Sequence, residues 1–146
     1  VDIESKDLIP FKELINNLDG IMTSHIVFPE VDKDITTFSK RWVSEILKEE
    51  MEFQGMVFSD DLSMKGTKDY ESFYEKTKQA IISGCEMILI CNNRKGVLDG
   101  IRYFEENQIK PSEKVFSMLM ANDISWTNLE KDRRRIVISD KLEKLI

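Results

Sequence analysis

Apolar positions recur along this chain in a repeating order, helix before strand. Leu8, Phe11, Leu14, Ile15 and Leu18 fall at helical spacing with Pro10 suited to a first turn, and GIMTS (20–24) follows as a short buried strand. Thr36 or Thr37 is placed to cap a second helix carrying Phe38, Trp42, Val43, Ile46 and Leu47 on one face, after which EEMEFQ leads into the strand GMVFS. Ser72 and Glu75 have capping-box spacing ahead of a third helix with Phe73, Thr77, Ala80 and Ile81; it stops at Gly84 before the strand CEMILIC. A fourth helix over 95–107 presents Val97, Leu98, Ile101 and Phe104, and shorter helices are predicted at 115–120 and 142–146.

Ile21, Met56 and Met87 hold equivalent strand positions, 35 and 31 residues apart, close to one β/α unit of an eight-unit barrel of about 250 residues. Apolar strands alternating with amphipathic helices predict an α/β fold with a parallel sheet covered on both faces. Three strands cannot close a barrel, and a chain that opens on a helix without its own strand reads as the later part of an incomplete domain.

Composition narrows the partners. With 146 residues, 41% hydrophobic and 33% charged, the chain is long enough for one domain with a real core. A net charge of −6 opposes nucleic acid or an anionic membrane surface as the main partner and leaves small neutral or cationic ligands open. No apolar run approaches the roughly 20 residues that span a bilayer, and VDIESKDLIP lacks signal-peptide character, so a cytoplasmic location is expected. Cys85 and Cys91 flank EMILI and read as buried small hydrophobes in a reducing compartment; the ends of an extended strand of that length are too far apart for a disulfide.

The candidate chemistry lies in GMVFSDDLSM, where an apolar strand runs into Asp60 and Asp61. Carboxylates at the mouth of an apolar sheet cost desolvation free energy, so they are paired, bound to metal or used in chemistry. One reading is a complete three-layer domain in which the pair holds Mg²⁺ for phosphoryl transfer, as in receivers or phosphatases. Its companions are missing, since the next strand ends in Cys91 and Asn92. A blander reading has the pair cap the next helix or hold water. Asn92, Asn93, Arg94 and Lys95 could greet a phosphate at a helix start, but loop charge and capping explain them better. Asp32 and Asp34 are placed on the same rim as Asp60, with too few further ligands for a metal, and neither metal nor cofactor is predicted. Arg133, Arg134 and Arg135 read as a solvated helix face or as partners of Glu130 and Asp132, and Trp42 and Trp126 as core or inter-helix contacts.

IMTSHIVFPEVD, TTFSKRW, FQGMVFSDDLSMKG and SGCEMILICNN resemble, in order and spacing, the bacterial β-N-acetylhexosaminidases of glycoside hydrolase family three, which cleave N-acetylglucosamine from peptidoglycan fragments in the cytoplasm. The resemblance implies the C-terminal portion of a (β/α)8 barrel: over 1–146, its last three β/α units and their helices. It implies that Asp60, directly after Ser59, is the nucleophile of a retaining mechanism. Asp61 is expected to orient or hydrogen-bond as a substrate-binding residue, because two adjacent carboxylates aimed at one carbon would raise each other's pKa. The family's acid/base is a histidine on a loop following a KHFPGHG-like stretch. That motif does not occur here, so the isolated chain is expected to be inactive. The sole histidine, His25, is expected either to line the sugar pocket or to sit partly buried against backbone near Pro29. A half-barrel with an open strand edge and apolar face is also expected to associate with itself.

Overall fold

The computed structural model describes residues 3–119 and 125–144. Its centre is a parallel pair of strands: β1, Gly20–Met22, runs beside β2, Met56–Phe58, with Gly20 opposite Met56 and Met22 opposite Phe58. The third predicted strand, CEMILIC, joins this sheet only by a single parallel bridge between Phe58 and Met87. The reason is visible one residue on. Where a ladder would continue, Leu89 N–H donates to the Ser59 hydroxyl (2.9 Å) and Cys91 N–H to Asp61 Oδ1 (2.9 Å), so side chains take over from backbone carbonyls.

The helices follow the predicted order. The first, α1, spans Ile9–Leu14 with Pro10 in its opening turn, but its apolar face is not a core face, since Phe11 and Leu14 are about half exposed. Neither threonine caps the second helix. Thr36–Phe38 forms a short 3-10 turn, and a π-type helix over Arg41–Glu50 begins beyond it, where the Ser39 hydroxyl accepts Trp42 N–H at 3.1 Å. That helix buries Trp42 and Val43. Helix α2, Phe73–Ser83, starts on the predicted cap, with Ser72 Oγ accepting Glu75 N–H at 3.1 Å. It ends where Gly84 adopts φ +116°, a left-handed turn that glycine enters without a Cβ penalty.

Helix α3, Arg94–Glu106, begins on Asn93, whose side chain accepts Gly96 N–H at 2.8 Å. Asn93 therefore caps a helix, as the bland reading of that loop had it. Leu98 and Ile101 are largely exposed, because α3 turns Gly96, Gly100 and Tyr103 inward instead. A 3-10 segment, Glu113–Met118, stands where 115–120 was expected to be helical; Met120 itself lies outside the described residues. The chain continues through α4, Trp126–Lys131, and α5, Arg133–Glu143, and of the helix predicted at 142–146 the last two residues lie outside the described set. Trp126 is 71% exposed, which removes the core alternative from its expected core or inter-helix place, while Trp42 is buried. Arg134 pairs with Asp132 at 3.0 Å.

Phe38, Val43, Phe53, Val57, Leu62, Ala80 and Cys85 form the buried core between the sheet, the Arg41–Glu50 helix and α2. Cys91, by contrast, is exposed, so only one of the two cysteines is the small buried hydrophobe expected; both are free thiols. No helix among the described residues is long and apolar enough to cross a membrane.

Candidate active site

Ser59, Asp60 and Asp61 continue β2 past its carboxyl end, the edge at which parallel sheets present functional groups. Ser59 is fully buried. Its N–H donates to Met87 O at 2.8 Å and its hydroxyl accepts Leu89 N–H, so the strand end is anchored on both its backbone and its side chain. Asp60 is half-buried. Its N–H donates to Thr23 Oγ1 at 3.2 Å, and its Oδ1 accepts Asp61 N–H at 2.8 Å. Among the described residues, Oδ2 of Asp60 has no hydrogen-bond or ion-pair partner.

Asp61 does different work. Its Oδ1 accepts Ser63 N–H and Cys91 N–H, both at 2.9 Å, and its Oδ2 accepts the Ser63 hydroxyl at 2.6 Å. Burial pushes this carboxyl up, but the donations from Ser63 and Cys91 outweigh it and hold the group below the ordinary aspartate range. The two adjacent aspartates thus divide into a tied carboxylate and one with a bare oxygen. Behind them lies Lys76, buried, with Nζ donating to Leu62 O at 3.1 Å and standing 4.6 Å from the centre of the Phe73 ring. Burial lowers its pKa against the opposing pull of Asp61, leaving it below the usual lysine value.

His25 is held by both ring nitrogens: Nε2 lies 2.9 Å from Asp61 O and Nδ1 lies 2.9 Å from Thr37 Oγ1. It meets backbone, as one reading expected, but at Asp61 and not near Pro29. Both ring nitrogens are engaged within the chain. Asp32 bonds the Ser39 hydroxyl and accepts Asp34 N–H at 3.3 Å, closing its own loop; the Ser39 contact is the main cause of its lowered pKa.

Thr23 and Thr37 escaped the sequence reading as site residues. Both are buried, and their hydroxyls lie 2.9 Å apart. A buried hydroxyl in a strand-end block such as IMTSH was the available signal, because it must find a partner. Cavities of about 420 and 340 Å³ lie elsewhere, between the N-terminal turns and the Arg41–Glu50 helix; the second reaches Thr23 and Ser24, and Asp60 lines neither.

The chain is α/β, with a tied carboxylate and, among the described residues, a bare one at the end of a parallel strand. Residues 1–125 match the family model described as Glycosyl hydrolase family 3 N terminal domain, and the chain belongs to that family. It is 39% identical over 141 residues to a Beta-hexosaminidase of Haemophilus influenzae, covering 91% of this chain and 40% of that protein. A Beta-hexosaminidase of Tolumonas auensis is 38% identical over 138 residues, with the same coverage. Among solved structures, native NagZ from Neisseria gonorrhoeae superposes with a TM-score of 0.70 at 27% identity, over 89% of this chain and 36% of that one. The chain thus spans about 40% of the length of these curated relatives. Membership sets aside the phosphoryl-transfer reading.

Proposed function

We propose that this chain is the nucleophile-bearing part of a cytoplasmic, retaining exo-β-N-acetylglucosaminidase that releases N-acetylglucosamine from peptidoglycan fragments. The observation that carries this reading is Asp60 Oδ2, an oxygen without a partner among the described residues at the carboxyl end of β2, inside a motif whose relatives are beta-hexosaminidases. The parallel β1–β2 pair and the bridge to Met87 support its being the last three β/α units of a (β/α)8 barrel.

Chemically, Asp60 Oδ2 attacks the anomeric carbon while the bond from that carbon to the aglycone oxygen breaks. The departing oxygen takes a proton from the family's histidine acid, whose motif does not occur in this sequence. Water, giving its proton back to that group, then attacks the same carbon and frees the Asp60 carboxylate, with the β configuration retained after two inversions. The isolated chain is accordingly inactive. It also self-associates, a reading supported by the exposed Phe11, Met22, Ile26 and Val27 and by β1 having β2 as its only strand partner among the described residues.

The test expresses the chain in frame with the coding sequence preceding Val1 and follows release of a chromogenic aryl β-N-acetylglucosaminide. Asp60→Ala is expected to lower turnover by about a thousandfold or more, and near-normal turnover would overturn the assignment. For the isolated chain, light scattering at several concentrations should show dimers or larger species; a monodisperse monomer would refute the association.

A further inference from the structure

Three side chains join the two flanks of the Asp60–Asp61 pair. Asp60 N–H donates to Thr23 Oγ1, Thr23 Oγ1 lies 2.9 Å from Thr37 Oγ1, Thr37 Oγ1 lies 2.9 Å from His25 Nδ1, and His25 Nε2 lies 2.9 Å from Asp61 O. The protons in this chain can be assigned by counting. A carbonyl only accepts, so Nε2 carries a hydrogen and donates it to Asp61 O. In the neutral ring Nδ1 must then accept, and the Thr37 hydroxyl is the group placed to donate to it.

Thr37 has one hydroxyl proton and two acceptors for it: Nδ1, and Ser24 O, which lies 3.0 Å from Thr37 Oγ1 and also receives Thr37 N–H at 3.1 Å. Whichever takes the proton, Thr37 Oγ1 is spent as a donor, so the Thr23 hydroxyl donates to it and keeps a lone pair for Asp60 N–H. With the Thr37 proton on the Nδ1 side, all four bonds run in one direction, from the amide of Asp60 to the carbonyl of Asp61, an arrangement in which each bond polarises the next. The root of the His25 side chain is backed by the loop after the motif. A Cβ on Gly66 would stand 2.7 Å from His25 Cβ, so only a glycine lets the loop after the motif close against this histidine.

We infer that His25, held as the Nε2–H tautomer, is a positioning residue that works with Thr23 and Thr37 to clamp the backbone on either side of Asp60, and that it does not bind the sugar. The role in turnover rests on Asp60 being the nucleophile; the clamp itself does not. Its consequence is geometric. Among the described residues Asp60 Oδ2 has no partner of its own, so its aim depends on the backbone of residues 60 and 61, and a displacement of about 1 Å costs on the order of a hundredfold in rate.

Two measurements test this. His25 is the only histidine of the 146-residue chain, so in the ¹⁵N-labelled chain at alkaline pH its ring nitrogens give one readable pair of shifts. A protonated Nε2 with a bare Nδ1 is expected; the opposite tautomer, or the fast average of a free imidazole, would overturn the assignment. In the longer enzyme, His25→Ala and Thr37→Val should lower kcat by about 10-fold to 100-fold with KM changed by less than about twofold. His25→Gln, whose amide nitrogen can reach the place of Nε2 and donate to Asp61 O, should recover part of that loss. A raised KM with unchanged kcat would make His25 a sugar contact, and no recovery by glutamine would remove the hydrogen bond from the account. Failure of the glycosidase reading looks different: Asp60→Ala would keep its turnover, while the tautomer would be unaltered.

Discussion

The main-chain N–H of Val57, in the middle of β2, donates to the side chain of Glu86 at 3.1 Å. The same carboxylate meets Lys114 Nζ at 3.0 Å and Lys48 Nζ at 3.6 Å, and Lys114 also reaches Gly55 O at 3.0 Å. Glu86 thus ties the foot of the sheet to the Arg41–Glu50 helix and to the 113–118 segment, at the end of β2 opposite Asp60.

Removing that node should be costly. Glu86→Ala leaves the amide of the fully buried Val57 without an acceptor and two ammonium groups without a counter-charge, a loss of about 2 to 4 kcal/mol, read from the midpoint of urea unfolding. A change below about 0.5 kcal/mol would contradict the role.

The same group predicts a pH dependence. Burial pushes the Glu86 carboxyl up, yet the Lys114 contact and the Val57 N–H outweigh it, so the folded pKa lies below the ordinary glutamate value of about 4.3. A lowered folded pKa means that the stabilisation is complete above the unfolded value and drains away as pH falls through the folded one. Below about pH 4 the native chain should therefore lose stability more steeply than Glu86→Gln, and parallel curves would refute the linkage.

Thiol chemistry distinguishes the two ends of the third extended segment. Burial pushes the Cys85 thiol up to about 11, while Cys91 is exposed, its thiol raised by partial desolvation and by the nearby Asp61 and Asp60 carboxylates. An alkylating reagent at pH 8 should label one thiol, Cys91, in the folded chain and two after denaturation. Asp61→Asn should speed the first reaction. Labelling of Cys85 under native conditions would show that the core opens.

Thr77 offers a stabilising change. Its hydroxyl is fully buried in α2 and has no hydrogen-bond partner among the described residues, so Thr77→Val replaces an unpaired polar atom by a methyl group of the same shape. An increase in stability of up to about 1 kcal/mol is expected, and a decrease would reveal a partner for the hydroxyl.

At the other end of α2, Gly84→Ala should destabilise by about 1 to 3 kcal/mol. The residue holds φ +116°, and an added Cβ would stand 2.7 Å from the Ser44 hydroxyl that bonds Ser83 O. Unchanged thermal unfolding would contradict the strain.

Where local chemistry decides, the sequence was legible. Ser72 and Gly84 bound α2 as predicted, because a cap and a left-handed stop depend on residues a few positions away. The inward faces of α1 and α3 were not legible. Leu14 and Leu98 fit a helical stripe, yet each is left about half exposed among the described residues, and the side of a helix that turns inward depends on what lies beside it. The third strand failed for a related reason: CEMILIC has the apolar run of a strand, but Ser59 and Asp61 offer side-chain acceptors where a ladder needs carbonyls.

By itself, the sequence determined the α/β order of elements, the position of Asp60 and Asp61 at a strand end and the family resemblance, since apolar period and motif spacing are properties of neighbouring residues. Only the tertiary structure decided that Asp61 is tied and Asp60 half free, and that His25 faces Thr37 and the Asp61 carbonyl. Those partners lie 12 to 36 positions apart, and Thr23 reaches Asp60 across 37. Distances of that kind are set by the parallel register of β1 on β2, which brings two remote strand ends side by side and lets their hydroxyls, imidazole and amides satisfy one another.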